Sequence, residues 1–209
     1  MRVPTVVGDL AEAATVVGPL TPCADLDEFF RDQPRLTSLT VVDGDRVGLV
    51  MRDAFSRLMS GPFGYGRTLW ARRPVADIAD WRPLRTHAAA PIVETAHRLR
   101  TRPADKRYDD VCVDLDDGRM GRVSAADLFD GLARQFTYRA VHDDLTGLIN
   151  RAHFLDVLAS QCATGAGDRI ALALINLDGI KRINDAHGHV AGDAILAHTA
   201  EQLRAVVRG

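Results

Sequence analysis

Between Asn176 and Asp193 the chain gathers its densest set of chemically able side chains: Asn176, Asp178, Lys181, Asn184, Asp185, His187, His189 and Asp193. Lys181 is a compact cation of the kind that offsets phosphate charge. Asn184 brings an amide donor and Asp193 a carboxylate acceptor, so together they suit a partner edge offering both kinds of group. The spacing places Asn184 after a helix and Asp193 at the next helix start, and Gly188 and Gly192 between them let the backbone turn tightly. Each residue also has a plainer reading. Asp178 and Asp185 read equally as loop acids and Lys181 as a solvated charge. His187-Gly188-His189 hints at metal, but two histidines without further ligands are more often a loop packing feature. A second polar group, Ser124-Ala125-Ala126-Asp127, opens an apolar-striped segment. There Ser124 reads as a helix N-cap with Asp127 as its capping-box partner.

These residues need elements to position them. Residues 143–209 read as α/β: a helix over Arg151–Gln161, an apolar, buried-type strand over Arg169–Leu177, and a helix over Ala191–Arg208. The last presents Ile195, Leu196, Thr199, Leu203 and Val206 as its inner face. From Ala125 to about His142 the pattern supports one long helix, with Leu128, Leu132, Phe136 and Ala140 recurring every four residues. Phe129, Ala133 and Val141 widen that stripe, and Gly131 weakens the helix by about 1 kcal/mol relative to alanine. The stripe fits either a seam with a twin helix or packing on the rest of the chain.

Upstream, two segments repeat one plan. Leu39–Val42 runs through Asp43-Gly44 into Arg46–Val50. Val111–Leu115 runs through Asp116-Asp117-Gly118 into Met120–Val123. Apolar strands around Asp-Gly predict hairpins, because the tight turn needs a positive φ. Helices are expected before each, over Asp25–Asp32 and Pro91–Arg100, with Pro22 and Pro91 near the helix starts, where proline is tolerated. A helix follows the first hairpin over Arg52–Ser60, with Ala54, Phe55, Leu58 and Met59 on one face. Gly61–Gly66 and Trp70–Val75 read as a linker.

Three motifs stand in order at plausible spacing: Asp143-Asp144-Leu145-Thr146-Gly147-Leu148-Ile149-Asn150-Arg151, then Asn176-Leu177-Asp178-Gly179-Ile180-Lys181-Arg182-Ile183-Asn184-Asp185, then Gly188-His189-Val190-Ala191-Gly192-Asp193. Together they resemble the first half of a GGDEF domain, the fold of bacterial diguanylate cyclases, over residues 143–209. The resemblance implies that two GTP condense to cyclic di-GMP between facing domains of a homodimer, with Mg2+ assisting. It places GTP phosphates at Asp178, Gly179, Ile180 and Lys181, and guanine readers at Asn184 and Asp193. The metal-ligand position falls at Asn176, with the Leu177 backbone beside it. Asn176 departs from the family pattern, because magnesium prefers anionic oxygens and an amide oxygen is neutral. Ile180 replaces the usual phenylalanine. The signature loop of the family would follow Gly209, so the chain as given is expected to be inactive.

The duplicated helix-hairpin-helix unit over residues 1–135 resembles a pair of CBS modules, here 1–66 and 67–135, joined to the output by a connecting helix over 125–145. The fold class is thus α/β (α+β): a CBS-pair sensor, a long helix and part of a GGDEF domain. CBS pairs bind adenosyl nucleotides. The resemblance implies that Ser124 and Asp127 hold phosphate and ribose, a role that competes with helix capping. Met51 and Ala54 occupy the matching places of the first module and cannot make those bonds.

The totals bound the remaining classes. Apolar residues make up 46% of the 209 and charged residues 26%, which permits a sizeable core. A formal net charge of −2 gives no global attraction to nucleic acid or anionic membranes. No run is long and apolar enough to span a membrane and no signal peptide opens the chain, so a cytoplasmic protein is expected. Cys23, Cys112 and Cys162 fit no metal spacing and read as buried thiols. Two functions follow: a CBS-regulated diguanylate cyclase, or a non-catalytic nucleotide-sensing dimerisation module with a degenerate GGDEF remnant.

Overall fold

The computed structural model describes residues 3–61, 65–163 and 170–207. Two compact units emerge, Met1–Gln135 and Phe136–Gly209. Part of the expected linker, residues 62–64, lies outside the described residues, as do Arg169 and Arg208.

The first unit holds strands β1 (Glu12–Ala13), β2 (Val16–Val17), β3 (Ser38–Asp43), β4 (Arg46–Met51), β5 (Arg85–His87), β6 (Val111–Asp114) and β7 (Met120–Val123). Its helices are α1 (Cys23–Asp32), α2 (Arg52–Ser60), α3 (Gly66–Trp70), α4 (Ile92–Arg100) and most of α5 (Ala125–Val141). Both hairpins form where the Asp-Gly pairs place them. Gly44 and Gly118 take φ of +58° and +78°, values that disfavour side chains with a Cβ. Pro22 and Pro91 are the N-cap residues of α1 and α4, in extended conformation with no N–H to leave unpaired.

A lone hairpin is marginal in water, so each recruits neighbours. The sheets run β2-β3-β4 and β1-β7-β6-β5, in which β2 and β5 pair in parallel and β1 antiparallel. The recruitment crosses the repeat. β1 sits on the second hairpin, with Glu12 opposite Arg122. Conversely, Asp80 exchanges backbone hydrogen bonds with Leu49 at 2.9 and 3.0 Å, and Val75, Ile78 and Trp81 join the first hairpin's core. That core centres on Leu26, Leu39 and Val41. The other centres on Ile92, Leu99, Val111, Val113, Val123 and Leu128.

Helix α5 buries Ala125, Leu128, Gly131 and Gln135. Along the expected Leu128-Leu132-Phe136-Ala140 line, Leu128 is buried and Leu132 half-buried, while Phe136 and Ala140 are exposed and, among the described residues, do not pack on the rest of the chain. Gly131 lies on the buried face. A Cβ there would lie 2.7 Å from Leu10 Cδ1, so the glycine lets the N-terminal segment press against the helix. Gln135 Nε2 donates to the Pro4 carbonyl at 2.7 Å and fixes the same segment.

The second unit contains the end of α5 with α6 (Arg151–Ala163), α7 (Ile180–His187) and α8 (His189–Val207). The expected strand over 169–177 does not form: residues 170–177 have no regular structure, and Ile170, Leu172, Leu174 and Ile175 are exposed. Among the described residues of this unit no strand lies alongside to take its hydrogen bonds. Helix α8 begins at His189, ahead of the expected Ala191, and its inner face is Gly192, Leu196, Thr199, Ala200 and Leu203. Ile195 and Val206, expected inside, are exposed. Cys23 and Cys112 are buried as expected, whereas Cys162 is exposed on α6. Among the described residues no helix is long and apolar enough to cross a membrane.

Candidate functional site

The segment after α5 closes on itself. The Asp143 carboxylate accepts the Thr146 N–H and hydroxyl, both at 2.8 Å. Those bonds hold its carboxyl below the usual carboxylate range. Gly147 supplies the turn at φ +62°. Asn150 donates to the Ala140 carbonyl at 2.9 Å and accepts the His153 N–H at 2.9 Å, capping α6. Arg204, far along α8, donates to the Thr146 carbonyl at 3.0 Å and ties the turn down. Nothing local in the sequence marks Arg204 for this task, because its partner lies 58 residues away.

Asn176 is exposed, and its Nδ2 donates to Asp178 Oδ1 at 3.2 Å. Gly179, at φ +85°, is the N-cap of α7, and Ile180 opens the helix. Lys181 is exposed on its first turn. Asn184 lies within α7 and not after it, as does Asp185. Asp193 is exposed on α8 just past Gly192. Gly188, at φ +83°, makes the turn between the helices. Gly192 serves a different purpose from a turn: a Cβ there would fall 2.0 Å from Asn184 Oδ1. That oxygen is buried without a hydrogen-bond partner. The helix pair thus brings Asn184 against Gly192, with Asp193 the next residue along. Leu177, Ile180, Leu196 and Leu203 line a neighbouring apolar groove of about 420 Å³.

In the first unit Ser124 Oγ accepts the Asp127 N–H at 3.0 Å and donates to Asp127 Oδ2 at 2.5 Å. The pair caps α5, as the capping reading expects. Ser124 also borders a cleft of about 420 Å³ shared with Thr37, Met51, Asp110 and Phe129. Beneath lies a buried polar network. Asp110 accepts Thr37 Oγ1 at 2.5 Å, Ser38 Oγ at 2.6 Å and Arg122 Nη1 at 3.2 Å. Arg122 reaches on to Glu12 at 3.0 Å. Sequence reasoning passed over these residues. The available signal was a charge at Arg122 inside the otherwise apolar strand pattern of Met120–Val123.

The family model described as "Diguanylate cyclase, GGDEF domain" matches residues 140–209. This segment is a GGDEF domain sequence. The chain is 42% identical over 80 residues to the probable diguanylate cyclase DgcE of Escherichia coli, covering 37% of this chain and 7% of that protein. The chain is also 44% identical over 77 residues to the bifunctional diguanylate cyclase/cyclic di-GMP phosphodiesterase MucR of Pseudomonas aeruginosa, covering 36% of this chain and 11% of that protein. The chain thus spans about a tenth of the length of these curated relatives. The first unit has the fold of a CBS domain-containing protein of unknown function from Bacillus anthracis. That crystal structure aligns with TM-score 0.50 and 11% identity over 62% of this chain and 94% of the other.

Within the GGDEF segment, the residues present do not make a magnesium site. Asn176 is neutral, its amide is bonded to Asp178, and among the described residues no three His, Cys, Asp or Glu side chains converge as ligands. The phosphate positions Asp178, Gly179, Ile180 and Lys181 follow one another around the start of α7, a helix end that favours anions. Of the two guanine positions, Asp193 is open to solvent while Asn184 is turned inward.

Proposed function

We propose that these residues belong to a CBS-regulated diguanylate cyclase acting in cyclic di-GMP signalling in the cytoplasm. The match of residues 140–209 to the GGDEF domain carries this reading. In it the Asp193 carboxylate accepts from guanine N1–H and the 2-amino group, and the Asn184 amide adds a donor. Lys181 and the α7 start face the phosphates as fixed positive charge. Joining two GTP into a ring requires each 3′-hydroxyl to attack the other nucleotide's α-phosphate, which two facing copies of the domain satisfy, so the working unit is a homodimer. Asn176 limits turnover, because the carboxylate it replaces is the charge that a metal would need. In the CBS pair, Ser124 and Asp127 hold an adenosyl nucleotide, exchanging their mutual hydrogen bond for bonds to phosphate and ribose. Binding there bears on the root of α5, which leads to the GGDEF segment.

Isothermal titration of the full 209-residue chain with GTP and with cyclic di-GMP tests the reading. Saturable binding that is lost in Asp193→Ala is expected. No heat with either guanine nucleotide would sink it. Titration with AMP and ATP, repeated on Asp127→Ala, tests the sensor half separately.

A further inference from the structure

The register of the two hairpins sets up an internal comparison. Gly48 pairs with Val41 and Gly121 with Val113, so Met51 and Ala54 hold the places of Ser124 and Asp127. The cleft beside Met51 lacks the hydroxyl and carboxylate of its counterpart and encloses about 640 Å³. Its floor is apolar, with Leu49, Val50, Phe55 and Ile78. Its walls carry five carboxylates, Asp53, Asp77, Asp80, Asp105 and Asp109, against two bases, Arg57 and Lys106.

Neighbouring cations answer only part of this excess. Lys106 Nζ sits on Asp80 at 3.1 Å and is farther from Asp109, at 3.7 Å. Arg102 stands 3.5 Å from Asp80 and 3.8 Å from Asp109, while its guanidinium donates to the carbonyls of Lys106 and Arg82. Asp109 is only 8% exposed, and its buried Oδ2 has no hydrogen-bond partner. Burial pushes the Asp109 carboxyl above its ordinary range despite the nearby cations. Such an oxygen is costly to leave unbonded and gains most from a donor that carries charge. Beside it the ring of Tyr108 is largely exposed, a face on which an alkylammonium group can rest.

We propose that this cleft binds an organic polycation, an alkylamine bearing two or more ammonium groups. Asp109 takes one ammonium, the rim carboxylates of Asp53 and Asp77 take the next, and the methylene chain lies on the apolar floor. A nucleotide is disfavoured, since its phosphates would face five carboxylates with neither of the side chains found at Ser124 and Asp127. A bare metal ion is disfavoured because among the described residues no three ligands converge. The inference goes beyond the reading above and does not depend on the GGDEF segment.

The test is a titration of the full chain with spermidine, by calorimetry and by thermal melting, with ionic strength held constant by sodium chloride. Saturable binding with a raised melting midpoint is expected, and Asp109→Asn should weaken it about tenfold, the scale of one charged hydrogen bond. No saturable response, equal affinity in Asp109→Asn, or displacement of spermidine by AMP would each overturn the proposal. Should Asp109→Asn not fold, the double variant Asp53→Asn/Asp77→Asn decides. Both residues are exposed, so weaker spermidine binding supports the site and unchanged binding refutes it.

Discussion

In the first unit Leu39 and Val41 lie on β3, and Val111 and Val113 on β6, strands that have a neighbour on both sides. All four are fully buried. In the second unit Leu172, Leu174 and Ile175 form an apolar run just as dense, and they remain 66%, 98% and 62% exposed. The two stretches differ little in residue type. They differ in whether another strand arrives to take their backbone hydrogen bonds. Apolar character makes a segment able to join a core, and a partner decides whether it does.

Variants can widen or collapse that contrast. The largest effect should come from Asp110→Ala, which leaves the largely buried Arg122 guanidinium without its inner partner. A loss of about 3–5 kcal/mol is expected in denaturant unfolding, and a change below about 0.5 kcal/mol would show that Glu12 alone satisfies the charge. Close behind, Leu128→Ala should cost about 2–5 kcal/mol by opening a cavity in the second core. Leu174→Ala should stay within about 0.5 kcal/mol, the range of surface substitutions. Equal costs at these two leucines would erase the distinction between the units.

Gly192→Ala probes the best-packed point of the second unit. Its Cβ would strike Asn184 Oδ1, so a loss of about 1–3 kcal/mol is expected, read as weaker helical signal on heating. Full tolerance would mean that Asn184 turns outward with ease and stands ready as a reader of guanine. Ser124→Ala removes the cap of α5 and should cost about 1 kcal/mol. If it also abolished AMP binding, the hydroxyl would serve both tasks. The smallest intervention is thiol labelling without denaturant. Burial, reinforced by the Asp110 charge, pushes the Cys112 thiol up to about 12, so it stays protonated as well as covered. Cys162 should react first by mass spectrometry and Cys23 and Cys112 only on unfolding. Early labelling of Cys112 would show that the first unit opens more readily than its packing implies.

Much of the local architecture was legible in the sequence. Asp43-Gly44 and the run ending in Gly118 marked both hairpins, because a positive φ is a property of single residues. Pro22 and Pro91 marked two helix starts for a similar reason. The GGDEF motifs were readable as ordered residue strings. The site was less legible. Asn184 was expected after a helix and sits inside one, with its oxygen turned toward Gly192. Gly131 registered only as a weak helix former, since its use depends on Leu10, which is distant in sequence. Arg204 and Asp110 carried no local signal for the partners they hold.

By itself the sequence determined the hairpin turns, the caps, the approximate place of the longer helices and the family motifs, all set by residues within a few positions of one another. Only the tertiary structure decided that β1 crosses to the second hairpin while Asp80 crosses to the first. It likewise decided which face of α5 is buried, and that the apolar run at 170–177 stays outside a sheet. The reason is that backbone preference acts over one or two bonds, whereas burial and ladder hydrogen bonds require a partner that local chemistry does not name.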